Sequence, residues 1–362
     1  MKSAALARPA PPAARAEPVV SHFEFWPDWA FYAPIVAQWI WLGLRYGAVS
    51  LPTAANPRIE LGGLCGESKS AILDLVQGAA RARLAPYVTL PPGSAPAAAE
   101  QAMAAAGLAW PVIAKPDIGC NGTGVRLLRD GADLAAYLAA FPADARPMLQ
   151  HFVREEGEAG VFYIRRPGEA RGRITSLTLK QPPVVIGDGR RTLAELVRAD
   201  PRAGRIPHMY LPRLGARAAR VPAAGERVQL VMVGNHCKGA IFHDGRAQIT
   251  PALTQAIEAI ARAMPDFHFG RLDLRFGSLA ALRRGEGFTV IEINGVGSEA
   301  THVWDARTRL RDAWADQFFH YRMAFEIGRA QRAAGHRPAG VAAMWRNWRR
   351  QKRLMASYPA HD

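Results

Sequence analysis

Cysteine is scarce in this chain. Only Cys65, Cys120 and Cys237 occur in 362 residues, and they lie far apart. That spacing excludes a disulfide framework and a zinc-ligand pair, and it suits a reducing compartment. Cys120 sits in a glycine-rich stretch. There it reads as a small loop-filling residue, with a reactive thiol as the alternative. Acid is in deficit too: 31 Asp and Glu stand against 46 Lys and Arg, a net charge of +15. The surplus favours anionic partners without choosing among nucleotide, nucleic acid and acidic membrane. No nucleic-acid recognition motif accompanies it, so no nucleic-acid partner is expected. Residues 1–20 lack the apolar run of a signal peptide and read as a disordered Ala-, Pro- and Arg-rich segment. No simple repeat appears.

What is present is enough apolar sequence, 49% of the chain, for two or three domains or subdomains. An aromatic segment at 21–50 carries Trp26, Trp29, Trp39 and Trp41. From Trp29 to Val49 it has one membrane-span length, interrupted by Pro34 and Arg45. Three readings stay open for it: a span, interfacial attachment, or packing against the body or a twin subunit. The tail, 326–362, contains AAMWRNWRRQKRLM, a basic helix bearing Trp345 and Trp348. It suits either an anionic membrane surface or a terminal helix with a solvated basic face.

Between these ends, helical and strand patterns alternate. Helices are expected at 68–82, 96–107, 132–141, 192–200 and 252–264. Strands are expected at 84–92, 110–117, 147–153, 159–166, 173–181, 227–234, 239–245, 269–276 and 288–294. Alternation mixed with hairpins predicts a mixed α/β fold of several α+β layers, not one parallel sheet.

The chemistry concentrates in two strands. In GRLDLRF, period-two alternation puts Arg271, Asp273 and Arg275 on one face. In VIEIN, Glu292 and Asn294 share a face. If the strands pair, two carboxylates and an amide oxygen converge into a hard oxygen site suited to Mg²⁺. Acids facing solvent are the alternative. A separate segment, VIAKPDIGCNGTGV, is a strand followed by a glycine-rich loop. Lys115 there can neutralise a phosphoryl oxygen, and Gly119, Asn121, Gly122, Thr123 and Gly124 can present backbone N–H groups to phosphate. The lysine precedes the glycines, so this is neither the P-loop nor the dinucleotide fingerprint. Lys69 opens a helix and Lys180 ends a strand, each within reach of phosphate in this reading. The stretch LQHFVREEGEAG reads as a hinge in which Gln150, His151 and Val153 meet adenine and Glu158 meets ribose.

Taken in order, these segments resemble the ATP-grasp superfamily over residues 50–325. The likeness is nearest to peptide-forming carboxylate–amine ligases, such as cyanophycin synthetase and the ATP-grasp module of bifunctional glutathione synthetases. D-alanine–D-alanine ligase is a more distant likeness. PVVIGDGRRTLAELVRADPRAG and VMVGNHCKGAIFHDG carry the nearer resemblance. The resemblance implies two α+β subdomains clasping ATP, at 110–182 and 183–325, after a short region at 51–109. It gives Asp273, Glu292 and Asn294 to Mg²⁺, with Mn²⁺ as a substitute. Nucleotide contact falls to Lys69, Lys115, the glycine-rich loop, the hinge, Lys180 and, on the ribose side, Glu158, with Glu155 and Glu156 as alternatives. Arg271 would steady an acyl phosphate, and Asn235, His236 or Lys238 would lie near substrate. The implied activity joins a small-molecule or peptide carboxylate to an amine, with release of ADP and phosphate. A small-molecule kinase and a noncatalytic nucleotide-binding adaptor remain as alternatives. The setting expected is cytoplasmic, with peripheral membrane attachment and a homodimer left open.

Overall fold

The structure, a computed structural model, describes residues 19–231, 234 and 239–359. Asn235, His236 and Lys238 lie outside the described residues, as does most of the N-terminal 1–20 segment. Two antiparallel sheets dominate. The smaller runs β1 (Tyr87–Thr89), β4 (Pro147–His151), β2 (Val112–Pro116), β3 (Arg126–Leu128) in that spatial order. Two helices pack on it, α3 (Pro96–Ala105) and α4 (Gly131–Ala140). Ala99 and Met103 of α3 and Leu134 and Tyr137 of α4 pack with Val112, Ala114 and Leu128. The start of α4 is fixed by Asp130, whose side chain accepts from the Asp133 N–H.

The larger sheet has the order β11 (Phe288–Asn294), β10 (Phe269–Phe276), β5 (Gly157–Ile164), β6 (Arg173–Gln181), β9 (Ile241–Asp244). Behind it lies α7 (Pro251–Arg262), started by Thr250 as N-cap and Pro251 at the first turn. Leu253, Ile257, Ile260 and Ala261 fall on one helical face and bury against Val161, Leu177, Leu272 and Leu274. α8 (Leu279–Arg283) spans the β10–β11 turn. On the other side, Phe162, Ile164 and Phe269 pack on Met323, Ala324 and Ile327 of α9 (Leu310–Ala333). The sequence division at 182 runs through this sheet, because β5 and β6 pair with each other and β5 pairs with β10. A third, smaller unit pairs β7 (Val184–Ile186) with β8 (Arg227–Gln229) and packs α5 (Leu193–Ala199) and α6 (Pro207–Leu214) on them. Its α5 begins with a Thr192–Glu195 capping box.

Several expectations need correcting. The helix expected at 68–82 is only α2 (Lys69–Asp74), followed by a 3-10 segment from Gly78 to Arg83. Gly78 adopts a left-handed conformation, φ 60°, which a continuous helix cannot contain. Of the strand expected at 227–234, the described residues pair over β8 alone, and residues 232 and 233 lie outside the described residues. The 24 residues of α9 were not anticipated, because arginines interrupt its apolar stripe. Among the described residues no helix is long and apolar enough to cross a membrane, which removes the span reading of 29–49.

That segment is instead α1 (Asp28–Tyr46), which packs on the body. Phe31 lies 4.6 Å from the Trp304 ring and Trp39 lies 5.0 Å from Phe325, both centroid to centroid. Trp29, Val36, Ile40, Trp41 and Leu44 occupy its exposed face. The tail forms α10 (Val341–Ser357). Leu354 and, just beyond the helix, Tyr358 join the core of the small sheet, while the stacked pair Trp345 and Trp348 stays exposed.

Candidate functional site

The site begins with the alternation of β10. Arg271, Asp273 and Arg275 point to one side, and the antiparallel register sets Asp273 opposite Glu292 and Arg271 opposite Asn294. A bulge follows: Leu274 pairs with Val290, so Ile291 has no partner on β10. The Ile291 carbonyl accepts from Lys115 Nζ at 3.1 Å. One irregular residue thereby ties the large sheet to β2 of the small one.

Lys180 reaches Asp273 from two strands away. The strand between them carries Gly160, where an added Cβ would stand 3.1 Å from Asp273 Oδ1 and from Arg271 Cδ. Without a side chain there, Lys180 Nζ sits 2.8 Å from Asp273 Oδ1 and 3.1 Å from Glu158 Oε1. Arg271 closes on Asp273 from the other side, with Nη2 2.9 Å from Oδ2. Asn294 Nδ2 donates to the same oxygen at 3.2 Å, and Arg275 Nη2 pairs with Glu158 Oε2 at 2.9 Å. Burial works to raise the Asp273 carboxyl, but Arg271 and then Lys180 outweigh it and hold it at about 2. Burial likewise works against the Lys180 ammonium, and Asp273 and Glu158 more than offset it, so its pKa is raised.

Among the described residues Lys115 has no carboxylate in hydrogen-bond contact. Its Nζ donates to Gln150 Oε1 at 2.8 Å as well as to Ile291, and burial pushes its pKa down to about 8. Gln150 Nε2 in turn donates to the Ala85 carbonyl at 3.4 Å. Lys69 Nζ donates to the Gly119 carbonyl at the edge of the glycine-rich loop. In that loop Asn121, Gly122 and Gly124 have positive φ. Gly124 is required for a second reason: a Cβ there would meet Pro116 Cγ at 2.8 Å and Tyr358 Cβ at 3.1 Å. The Tyr358 hydroxyl donates to the Ile118 carbonyl at 2.6 Å, so the end of the chain holds the loop in place.

These groups open onto one cavity of about 610 Å³ between the two sheets. It is lined by Lys69, Lys115, Gly119, Asn121, Gly122, Thr123, Gln150, His151, Val153, Glu158, Lys180, Arg271, Asp273, Glu292 and Asn294. Gly124 supports the loop from behind and does not line the cavity. Asn235 and Lys238 lie outside the described residues.

The donor chemistry fits a hard divalent cation. The Glu292 carboxylate lines the cavity with no hydrogen-bond or ion-pair partner among the described residues. Asn294 uses its amide nitrogen on Asp273, and its Oδ1 accepts from no donor among the described residues. Asp273 faces Glu292 across the ladder but has both oxygens taken by Arg271, Lys180 and Asn294. Among the described residues no three His, Cys, Asp or Glu side chains form a metal cluster on their own.

The sequence reading missed several lining groups. Arg275 was placed on the right face without a role. Glu67 lines the cavity, and its Oε2 is shielded from solvent with no hydrogen-bond partner among the described residues. Burial pushes its carboxyl up, Lys69 pulls against that, and Glu292 adds to the rise. Glu299, in the loop after β11, is held by Tyr32 of α1, by Trp304 and by Gln317 of α9. A signal existed for Glu299, which lies in the polar loop VGSEATHVWD; none existed for Tyr32, 267 residues away in sequence.

Comparison with known proteins gives little beyond this geometry. No family model matches the chain, and no curated protein matches it. Among solved structures it resembles a bifunctional glutathione synthetase from Pasteurella multocida, at 20% identity and TM-score 0.37, over 69% of this chain and 36% of that one. The chain therefore spans about a third of that protein's length. It also resembles a D-cycloserine synthetase, at 16% identity and TM-score 0.40, over 72% of this chain and 70% of that one. A D-Ala:D-Ser ligase from Enterococcus faecalis gives 14% identity and TM-score 0.41, over 73% of this chain and 64% of that one. Likenesses at this level carry no argument about activity, and the functional reading stands on the chain's own motifs and geometry.

Proposed function

We propose that the chain is an ATP-dependent carboxylate–amine ligase of the ATP-grasp kind. The observation that carries this reading is the convergence of Lys115, Lys180, the glycine-rich loop and a hard oxygen set on one cavity between two antiparallel sheets. Four separated stretches of sequence supply these groups, and their order is the order the family resemblance requires.

ATP is a substrate in this scheme. The oxygen of a substrate carboxylate attacks the γ-phosphorus, and the bond from that phosphorus to the β,γ-bridging oxygen breaks to release ADP. An amine then attacks the acyl carbon, the carbon–oxygen bond to phosphate breaks, and the amine gives up a proton. Phosphate leaves with one oxygen of the original carboxylate. Lys115 and Lys180 would offset phosphoryl charge as it shifts. Lys69 and the loop from Gly119 to Gly124 would cover the phosphates and exclude water. Gln150, His151 and Val153 would border the adenine and Glu158 the ribose. Arg271 would turn from Asp273 toward the acyl phosphate. Glu292, Asn294 and Asp273 would hold Mg²⁺, which would supply further neutralisation of phosphate charge. Asn235 and Lys238 are proposed near the substrate. Positioning and electrostatics account for the rate, and no covalent nucleophile from the protein is needed.

The test is product analysis. Pure protein is incubated with Mg·ATP and mixed pools of carboxylates and amines, then examined by mass spectrometry. Amine-dependent amide together with ADP supports the ligase. A stable phosphorylated product without amide would make the protein a kinase, and binding without turnover would make it an adaptor.

A further inference from the structure

Glu299 has no part in the phosphate and metal arrangement above. Its Oε1 accepts from the Tyr32 hydroxyl at 2.7 Å and from Gln317 Nε2 at 2.8 Å, and its Oε2 accepts from Trp304 Nε1 at 3.1 Å. All three donors are neutral. They fix the carboxylate in one orientation without cancelling its charge, and Glu299 forms no ion pair among the described residues. The side chain lines the cavity.

Its surroundings extend the pattern. Asp28 sits one helical turn before Tyr32 on α1 and lines the same cavity. Tyr321 of α9 also lines it, within electrostatic range of Glu299. The Tyr321 side chain is half-buried, and its hydroxyl has no hydrogen-bond partner among the described residues. This corner thus presents an oriented carboxylate, a second acid, an unpartnered hydroxyl and the rings of Tyr32, Trp304 and Tyr321. An anion would meet like charge there. Arg271 interacts electrostatically with Glu299 and donates to its backbone carbonyl at 3.2 Å, but its guanidinium pairs with Asp273 and makes no ion pair with the Glu299 carboxylate.

We propose that this corner binds an alkylammonium group, seating it on Glu299 among the three aromatic rings. The carboxylate supplies a charge-assisted hydrogen bond, and the ring faces add cation–π attraction. Calling the bound group part of the amine substrate rests on the ligase reading; the binding itself does not. Tyr32 then gives α1 a function, since the N-terminal aromatic segment becomes one wall of a substrate pocket.

The experiment is calorimetric titration of the full chain with three probes of one shape: pentylammonium, pentanoate and pentanol. Each is run with and without Mg·ADP. Pentylammonium should bind and the other two should not. Glu299→Gln should weaken it about tenfold or more. Tyr321→Phe, which removes no hydrogen bond among the described residues, should weaken it severalfold, and it decides the matter if Glu299→Gln fails to fold. Equal binding of pentanoate overturns the proposal. So does an absence of pentylammonium binding at about 10 mM, or unchanged affinity in a folded Glu299→Gln protein. Mg·ADP binding without pentylammonium binding sinks this inference and leaves the ligase reading standing. Pentylammonium binding with no affinity for Mg·ADP does the reverse.

Discussion

Lys115→Met offers a quantitative test of the site's electrostatics. Lys115 is 6% exposed, and burial lowers its pKa from 10.5 to about 8. The sign follows from linkage. Below the folded value the ammonium is charged in both folded and unfolded chains, and the full cost of burying it opposes folding. A displacement of this size is worth about 3 kcal/mol. As pH rises through about 8, the folded chain gives up its proton while the unfolded chain holds on until about 10.5. Across that window the unfolded state binds more protons, so this residue's contribution to stability rises with pH. Methionine cannot titrate and lacks the effect. The lost hydrogen bonds to Gln150 and Ile291 shift the variant's stability by an amount that does not follow this slope. The assay is urea unfolding of both proteins at about pH 7 and about pH 10, comparing the stability gap at each. Wild type should gain about 2–3 kcal/mol on the variant between the two. A gap constant within about 0.5 kcal/mol would refute a buried, destabilised ammonium. If Lys115 binds the nucleotide phosphates as proposed, the variant should also lose most of its affinity for Mg·ADP.

Other perturbations separate stability from binding. Asp273→Asn leaves Arg271 and Lys180 short of a buried counter-charge and should cost about 3–5 kcal/mol in urea unfolding; an unchanged midpoint would argue against the network. Glu292→Gln removes a carboxylate that makes no hydrogen bond among the described residues. It should leave the unfolding midpoint in place while weakening Mg-dependent nucleotide binding about tenfold, measured by titration with and without the metal. Gly124→Ala places a Cβ 2.8 Å from Pro116 Cγ at φ 72°, so it should destabilise the protein by about 1–3 kcal/mol, checked by thermal unfolding. Tyr358→Phe removes the hydrogen bond to Ile118 and should speed amide exchange across residues 118–124; unchanged exchange would mean that the loop does not depend on the tail.

Local periodicity made part of this molecule legible in its sequence. Arg271, Asp273 and Arg275 had to share a face because strand side chains alternate, and Glu292 with Asn294 likewise. The hairpin of β5 with β6 was readable for the same reason. The bulge at Ile291 was not, since nothing in VIEIN distinguishes a regular ladder from one that skips a residue. Nor was the path of Lys180 to Asp273, which depends on Gly160 in the strand between them. The hardest features to foresee were long-range ones. Tyr32 meets Glu299, and Tyr358 meets Ile118 across 240 residues. Both come from terminal segments whose aromatic and basic residues read equally well as membrane elements. Composition describes what a helix face prefers to touch, and only the packed structure shows that α1 and the tail touch the site.

The central claim is that a substrate carboxylate is activated by phosphoryl transfer before an amine displaces the phosphate. Supplying the carboxylate pool with heavy-oxygen label and collecting the phosphate released during turnover tests it most directly. The account predicts that each phosphate carries one labelled oxygen, and that amide and ADP accumulate in step with it. Unlabelled phosphate, or label retained in a stable phosphorylated product, would contradict it.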